Sequence, residues 1–123
     1  MKKYNTFTSF SVSDIARAKE FYTKRLGLDE ISMENQEFLM FETGGDTRFT
    51  IYHKENHHPA DFTVLNFEVD DLETVLEQLK KSGVTFEDVE GTDERGIAEM
   101  DSTRAAWIKD PEGNWIGFFQ NGG

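Results

Sequence analysis

The sequence predicts an α+β fold built from two βαβββ modules, and three observations support this expectation. Residues 10–15 (FSVSDI) are matched in kind by residues 67–72 (FEVDDL), 57 positions later. Each copy continues into an amphipathic helical pattern that begins after an aspartate and ends at a glycine. An apolar hairpin over 107–119 closes the chain and corresponds to an earlier hairpin over 41–52. Because one module cannot bury its sheet face alone, we expect one domain over residues 1–123.

The first module is expected over residues 4–53. Alternating residues over 6–12 predict a strand, Asp14 is placed to cap a helix over 14–26, and Gly27 is placed to end it. The turn residues 43–46 separate two further apolar runs. Strands are therefore expected over 28–33, 37–42 and 47–53.

The second module is expected over residues 62–121, after a polar linker over 54–61. Asp70 or Asp71 caps a predicted helix over 71–82, which Gly83 ends. In the closing hairpin, Pro111 fixes one turn position and Gly113 can adopt a positive φ. Both faces of the last strand are apolar, so we expect it to be buried on both sides. Strands are predicted over 63–69, 85–89, 97–102 and in the two arms of the hairpin.

Composition excludes several classes of function. The chain has no cysteine, which rules out disulfides and thiolate chemistry and suits a cytoplasmic protein. With 24 acidic and 13 basic side chains, the net charge of −11 would repel a nucleic acid. The acidity either keeps a small protein soluble or attracts cationic ligands. No run of about 18 apolar residues predicts a membrane span. We therefore expect a soluble cytoplasmic protein that binds neither nucleic acid nor membrane.

The ordered motifs resemble one known superfamily. They are residues 12–15 (VSDI), 20–22 (EFY) and 26–28 (LGL) in the first module and the hairpin turn 110–114 (DPEGN). Over residues 6–121 the chain is similar to the vicinal oxygen chelate superfamily, which includes glyoxalase I, bleomycin-resistance proteins, fosfomycin-resistance enzymes and extradiol dioxygenases. The resemblance implies a cup-shaped mixed sheet with the helices outside, and a homodimer that can exchange modules. It says less about activity, because this fold serves enzymes and binding proteins alike.

The resemblance also implies four inward positions that hold metal ligands in metal-dependent members. Carried onto this sequence, they are Phe7, Thr50, Val64 and Gly117. None offers an imidazole or carboxylate, and one hydroxyl does not hold a divalent cation against water. A shift of one residue supplies no ligand either. We therefore expect no metal, no other cofactor, and no glyoxalase or ring-cleavage activity.

Strand alternation identifies the residues expected to line the inward face. They combine aromatic rings with a few polar groups, as small-molecule pockets do. The rings could instead fill a domain or subunit seam, and the two charged groups could pair with each other. The phase of Trp107 is the least defined, because it depends on where the preceding loop ends. The candidate ligand-binding residues are Phe7, Ser9, Arg48, Thr50, Tyr52, Asn66, Glu68, Trp107, Trp115 and Phe119.

The three histidines are not expected to be ligands. His57 and His58 lie in the linker and predict a solvated pair, because adjacent residues on an extended chain point opposite ways. His53 follows Tyr52 and should face away from the cup. A relocated metal site would have to recruit Glu99 or Asp101. The aspartates that precede the helices are interpreted as caps rather than as acids awaiting a substrate.

Two functional classes follow. The protein either sequesters or carries a small aromatic or cationic molecule, as bleomycin-resistance proteins do, or it is an enzyme of the glyoxalase or dioxygenase kind. An enzyme would need relocated metal ligands or a metal-free base, for which Glu68 is the candidate. The missing ligands favour the binding protein, and no catalytic residue is assigned.

Overall fold

The computed structural model describes residues 2–31 and 37–122. The chain divides into two compact units, residues 1–58 and residues 59–123. In these described ranges, each unit contains one four-stranded mixed sheet and one α-helix. The predicted α+β class is confirmed. No helix in the described ranges is both long and apolar enough to cross a membrane.

In the first unit the sheet order is β1-β4-β3-β2. The outer pair β1 and β4 is parallel, and the other pairs are antiparallel. The helix α1 follows β1, which gives the predicted βαβββ order. The part of the predicted second strand beyond Ile31, and the turn over 34–36, lie outside the described residues. The elements are β1 (Thr8–Val12), α1 (Ile15–Glu20), β2 (Asp29–Ile31), β3 (Phe38–Glu42) and β4 (Arg48–His53).

The first helix starts as predicted and changes type half-way. The Asp14 side chain accepts a hydrogen bond from the Arg17 amide at 3.0 Å. After α1 the chain continues as a π-helical turn over Phe21–Arg25. This turn directs Tyr22 into the core, where it is fully buried with its ring 5.7–6.1 Å from those of Phe10, Phe41 and Phe49.

The second unit repeats this arrangement, with sheet order β5-β8-β7-β6. The pair β5 and β8 is parallel, and the remaining pairs are antiparallel. Leu72, Leu76 and Leu79 form the buried stripe of the helix. The elements are β5 (Thr63–Glu68), α2 (Leu72–Lys81), β6 (Ala98–Met100), β7 (Thr103–Lys109) and β8 (Trp115–Asn121).

The predicted repeat is visible in the two helix caps. Asp14 has φ −127° and ψ 98°, and Asp71 has φ −137° and ψ 96°. The Asp71 carboxylate accepts from the Thr74 hydroxyl at 2.8 Å and from the Thr74 amide at 3.3 Å. Gly27 and Gly83 follow the helices at φ +72° and +89°, in the left-handed region that favours glycine.

The predicted strand over 85–89 is wrong. This segment forms no strand, and the Glu87 amide makes a single hydrogen bond, 2.8 Å long, to the Trp107 carbonyl. The edge position beside β7 belongs to β6 instead. Phe86 packs against Phe118 with ring centroids 6.1 Å apart, which fixes the segment by packing rather than by a ladder. The strand predicted over 97–102 is confirmed in shorter form.

The closing hairpin is confirmed, and Asp110 organises its turn. Gly113 has φ +86°, as expected, and its amide donates to the Asp110 carbonyl at 3.0 Å. The Asp110 carboxylate accepts from the amides of Glu112 and Asn114 and from the Asn114 side chain, each at 2.9 Å. Asp110 and Asn114 are only 4% and 1% exposed. Buried charge and amide therefore satisfy each other within the turn.

Candidate functional site

The ten predicted site residues divide equally between the two units, and each set lies on or beside the sheet face away from the helix. In the first unit Ser9 and Thr50 are register partners on the parallel strands β1 and β4. Their hydroxyl oxygens are 2.6 Å apart. Thr50 is buried, and its hydroxyl is committed to this bond. These two hydroxyl groups of the predicted site therefore bond to each other.

The other three predicted residues of the first unit are exposed. Phe7 precedes β1, and the Cζ atom of Arg48 lies 5.2 Å from the centre of its ring. Tyr52 is 37% exposed and is the register partner of Phe38, which is 41% exposed. Phe38 was not among the predicted residues, although the alternation of its strand places it on the same face. The first unit therefore has one exposed pair of rings, Tyr52 and Phe38, and a separate ring, Phe7, that the Arg48 guanidinium covers.

In the second unit the predicted residues form a row across three strands. Asn66 on β5 is the register partner of Gly117 on β8, which in turn is the partner of Trp107 on β7. Phe119 lies two residues further along β8, and its ring meets that of Trp107 edge-on at 6.0 Å and 89°. This register places Trp107 on the same face of the sheet as Gly117, as strand alternation predicts. An amide and two aromatic rings thus flank one glycine.

The space above Gly117 is narrow. A Cβ atom built on this glycine would lie 2.5 Å from Asn66 Oδ1, 2.9 Å from Phe119 Cε1 and 3.3 Å from Trp107 Cδ1. Real side chains do not tolerate the first two distances, so the position requires glycine or a shift of its neighbours. Gly117 is itself buried, so the side chains of Asn66, Trp107 and Phe119 pack over the backbone of β8 at this point.

The two remaining predicted residues have partners that the sequence analysis missed. The Glu68 carboxylate accepts a hydrogen bond from Asn121 Nδ2 at 3.2 Å. Lys109 Nζ lies 4.6 Å from the centre of the Trp115 ring, so this cation covers one face of the indole. Lys109 and Trp115 are register partners that flank the hairpin turn. Hairpin register is the signal that could have revealed this pair.

The expectation of a solvated histidine pair in the linker is wrong for one member. His57 is half-buried, and its Nδ1 atom lies 2.7 Å from the Ser11 hydroxyl oxygen. His58 and His53 are exposed, as expected. The linker therefore contacts β1 through the His57 imidazole. His57 and Ser11 are 46 positions apart, so no local sequence pattern predicts this contact.

The carboxylates with shifted pKa values lie outside the predicted site. A hydrogen bond from Arg95, followed by one from the Ile97 amide, lowers the pKa of Asp93 to about 2. Hydrogen bonds from Arg104 and Arg95 lower the pKa of Glu73. Both acids are held in their charged form by arginines, which suits ion pairing rather than proton transfer. We assign them no catalytic role.

Three cavities formed by described residues lie mostly outside the predicted site. One of about 710 Å³ lies beside the loop over 83–96, and one of about 410 Å³ lies beside the start of α2. A third, of about 270 Å³, is the only one of the three that a predicted residue lines, and that residue is Arg48. The predicted residues of the second unit line none of these three cavities.

Comparison with known proteins identifies the family. A family model described as Glyoxalase/Bleomycin resistance protein/Dioxygenase superfamily matches residues 5–118. The chain belongs to this superfamily. The predicted resemblance is thus confirmed. A comparison with curated proteins gives no match.

Solved structures of the superfamily share the fold at low sequence identity. A glyoxalase family protein from Bacillus anthracis is 22% identical with a TM-score of 0.74, over 98% of this chain and 99% of that one. TnmS3, an antibiotic binding protein from Streptomyces sp. CB03234, is 24% identical with a TM-score of 0.75, over 97% and 96%. Lactoylglutathione lyase from Agrobacterium tumefaciens is 15% identical with a TM-score of 0.73, over 96% and 93%. At these identities the likeness shows the fold and not the activity.

The superfamily implies a metal centre that these residues do not fit. Of the four implied ligand positions, Phe7 and Val64 carry no donor atom, and the Thr50 hydroxyl is bonded to Ser9. The fourth position is Gly117. There, Asn66 and Phe119 occupy the space that a ligating side chain would need. Within residues 2–31 and 37–122, no three histidine, aspartate or glutamate side chains are grouped so as to hold a metal ion. The absence of a metal stays a prediction.

Proposed function

We propose that this superfamily member is a binding protein for a planar, uncharged aromatic small molecule. The observation that carries the proposal is the row around Gly117, where the half-buried, edge-to-face rings of Trp107 and Phe119 lie beside the exposed side chain of Asn66. Each aromatic contact to a planar ligand supplies about 0.5–1.5 kcal/mol beyond the burial of area. Micromolar affinity needs only about 8 kcal/mol in total, so stacking and burial suffice without a metal.

The proposal narrows the predicted ligand class from aromatic or cationic to aromatic. Lys109 lies over Trp115, and Arg48 lies over Phe7, so the chain's own cations occupy ring faces that a cationic ligand would use. The Glu68 carboxylate accepts a hydrogen bond from Asn121. The antibiotic-binding description of TnmS3 supports a binding function within this fold.

Calorimetric titration with a matched pair of ligands tests the proposal. Quinoline and N-methylquinolinium share a ring system and differ in charge. We expect quinoline to bind more tightly, and Phe119→Ala to weaken it by about three- to tenfold. Phe38→Ala, which removes an exposed ring in the other unit, is the matched control and should have no effect. No binding of quinoline, or equal losses in both variants, would contradict the proposal.

The alternative is that the protein is an enzyme, because lactoylglutathione lyase has a similar fold. It would use a relocated metal or Glu68 as a metal-free base. Mass spectrometry of protein purified without chelator distinguishes the two classes. One equivalent of metal, lost when Glu99 or His53 is replaced by alanine, would support the enzyme.

We also propose a homodimer in the cytoplasm, without nucleic acid or membrane partners. The exposed rings of Phe7, Phe38 and Tyr52 support a self-association surface on the first unit. The net charge of −11 and the lack of cysteine support the other assignments. Light scattering at micromolar concentration should give twice the 14.2 kDa chain mass. A mass of one chain would contradict the dimer.

A further inference from the structure

A cleft in the second unit shares no lining residue with the row around Gly117. It lies beside the loop over 83–96 and has a volume of about 710 Å³. Ligand sites commonly have volumes of about 300–1,000 Å³. The outgoing segment 83–88 and the returning segment 92–96 form its walls, and Lys80 of α2 also lines it. We call this cavity the loop cleft.

The loop is held in one shape by its own hydrogen bonds. The Thr92 hydroxyl donates to the Val89 carbonyl at 2.7 Å and accepts from the Val89 amide at 3.2 Å. The Asp93 carboxylate accepts from the amides of Arg95 at 2.8 Å and Ile97 at 3.0 Å. The cleft is therefore preformed, and a ligand does not have to order the loop when it binds.

Two residues of the outgoing segment have unused backbone groups. The Glu87 amide donates to the Trp107 carbonyl at 2.8 Å, which ties the segment to β7. Thr85 and Phe86 line the cleft but make no hydrogen bond with any described residue. Thr85 is exposed, so a ligand can reach its peptide groups from solvent. The main chain of a peptide carries the N–H and C=O groups that complement them, as in the addition of a strand to a sheet edge.

The lining of the loop cleft is negatively charged. Its ionisable side chains are four carboxylates and two cations, namely Glu87, Asp88, Asp93, Glu94, Lys80 and Arg95. Asp93 and Arg95 pair with each other at 2.7 Å, and Glu87 lies 3.9 Å from Lys109. Glu94 is exposed and has no hydrogen bond or ion pair with a described residue. Its charge is therefore available to a partner of opposite sign.

We propose that the loop cleft binds a basic peptide in an extended conformation. The peptide main chain exchanges hydrogen bonds with the backbone groups of Thr85 and Phe86, and its lysine or arginine side chains lie beside Asp88 and Glu94. The main-chain bonds supply affinity, and the charges select the sequence. This site is independent of the small-molecule function proposed above, so either proposal can fail alone.

Four probes test the proposal by calorimetry on the full chain. The blocked pentapeptide KVKVK carries both features, QVQVQ keeps the main chain without the charges, and spermidine carries three positive charges without peptide groups. A form of KVKVK with N-methylated valines keeps the charges and loses two main-chain donors. We expect KVKVK to bind about tenfold more tightly than each of the other three. Equal binding of any one of them shows that the main chain or the charge is not recognised, and overturns the proposal.

Charge variants locate the peptide. Glu94→Gln removes a carboxylate of the lining and should weaken the binding of KVKVK by about two- to fivefold. Lys80→Gln removes a cation of the lining and should tighten the binding by about the same factor, which a loss of structure would not do. Glu20→Gln, at an exposed glutamate of the first unit, is the matched control and should have no effect. If Glu94→Gln weakens binding no more than Glu20→Gln, or if Lys80→Gln does not tighten it, the peptide does not occupy the loop cleft and the proposal is overturned.

Discussion

The two sheets place different chemistry at equivalent points of one repeated fold. In the first unit the row across β1, β4 and β3 is Ser9, Thr50 and Met40. In the second unit the row across β5, β8 and β7 is Asn66, Gly117 and Trp107. The hydroxyls of the first row bond to each other at 2.6 Å. The second row has a glycine at its centre and the exposed side chain of Asn66 at its side.

This difference shows that two copies of one fold can carry different side chains at equivalent positions. A row whose polar groups satisfy one another contributes to stability and offers little to a ligand. The second row combines an exposed amide with two half-buried rings, as binding sites combine polar and aromatic groups. We therefore expect ligand binding at the second unit rather than at the first.

The hairpin turns of the two units differ in the same manner. In the first unit the Thr43 and Thr47 hydroxyl oxygens are 2.6 Å apart in an exposed turn. In the second, Asp110 and Asn114 form a buried network. Buried hydrogen bonds to a charged group cost more to remove than exposed hydroxyl bonds.

The largest predicted effect is therefore in the second turn. Asp110→Ala leaves the amides of Glu112 and Asn114 without their acceptor and should lower the free energy of unfolding by about 3 kcal/mol. Thr47→Val, the matched change in the first turn, should cost less than about 1 kcal/mol. Urea unfolding followed by circular dichroism measures both. Equal losses would show that burial does not distinguish the turns.

The next effect comes from adding a side chain at Gly117. Gly117→Val places atoms where Asn66 and Phe119 already lie, so overpacking should cost about 1–3 kcal/mol, displace the Phe119 ring and abolish quinoline binding. Thr50→Val, the corresponding change in the first unit, removes one hydroxyl bond and should cost about 1 kcal/mol without affecting binding. If Gly117→Val binds quinoline normally, the ligand does not contact this row.

Most of the fold could be predicted because its signals are local. Asp14 and Gly27 delimit one helix by the same chemistry as Asp71 and Gly83 delimit the other. The strand predicted over 85–89 does not form, because Phe86 packs against Phe118 and β6 takes the sheet edge. Apolar content does not distinguish a strand from a packed loop.

Strand alternation predicts which residues share a face of the sheet, but it does not predict which of them are register partners. Alternation placed Asn66, Trp107 and Phe119 on one face. The alignment of Asn66 with Gly117 depends on a register shift between Thr63 and Leu65, which the sequence pattern does not reveal. The contact between Ser11 and His57 joins a strand to the linker and also has no local signal.

A smaller effect is expected at the helix caps, where the two units are alike. Asp71→Ala removes the acceptor for both Thr74 groups and should lower the melting temperature, as should Asp14→Ala in the first unit. Asparagine caps a helix about as well as aspartate, so Asp71→Asn should retain most of the stability. Differential scanning calorimetry compares them. An asparagine variant as unstable as the alanine variant would contradict the cap assignment.

The smallest predicted effect is a pH dependence specific to the second unit. Folding lowers the pKa of Asp93 from 3.8 to about 2, chiefly through its hydrogen bond to Arg95, so the unfolded chain binds this proton more tightly. The contribution of the ion pair is complete above about pH 5 and is lost as the pH falls through 3.8 towards 2. The pair is exposed, so solvent keeps the effect small.

Arginine substitutions separate the carboxylates that pair with Arg95 from the other carboxylates. Arg95→Gln removes the guanidinium that bonds to Asp93 and to Glu73, so its loss of stability between pH 5 and pH 3 should be smaller than that of the unaltered chain. Arg48→Gln removes a cation that lies over Phe7 in the first unit and should leave the pH profile unchanged. Urea unfolding at the two pH values measures the difference. If Arg95→Gln follows the same profile as Arg48→Gln, the low pKa values of Asp93 and Glu73 do not arise from Arg95.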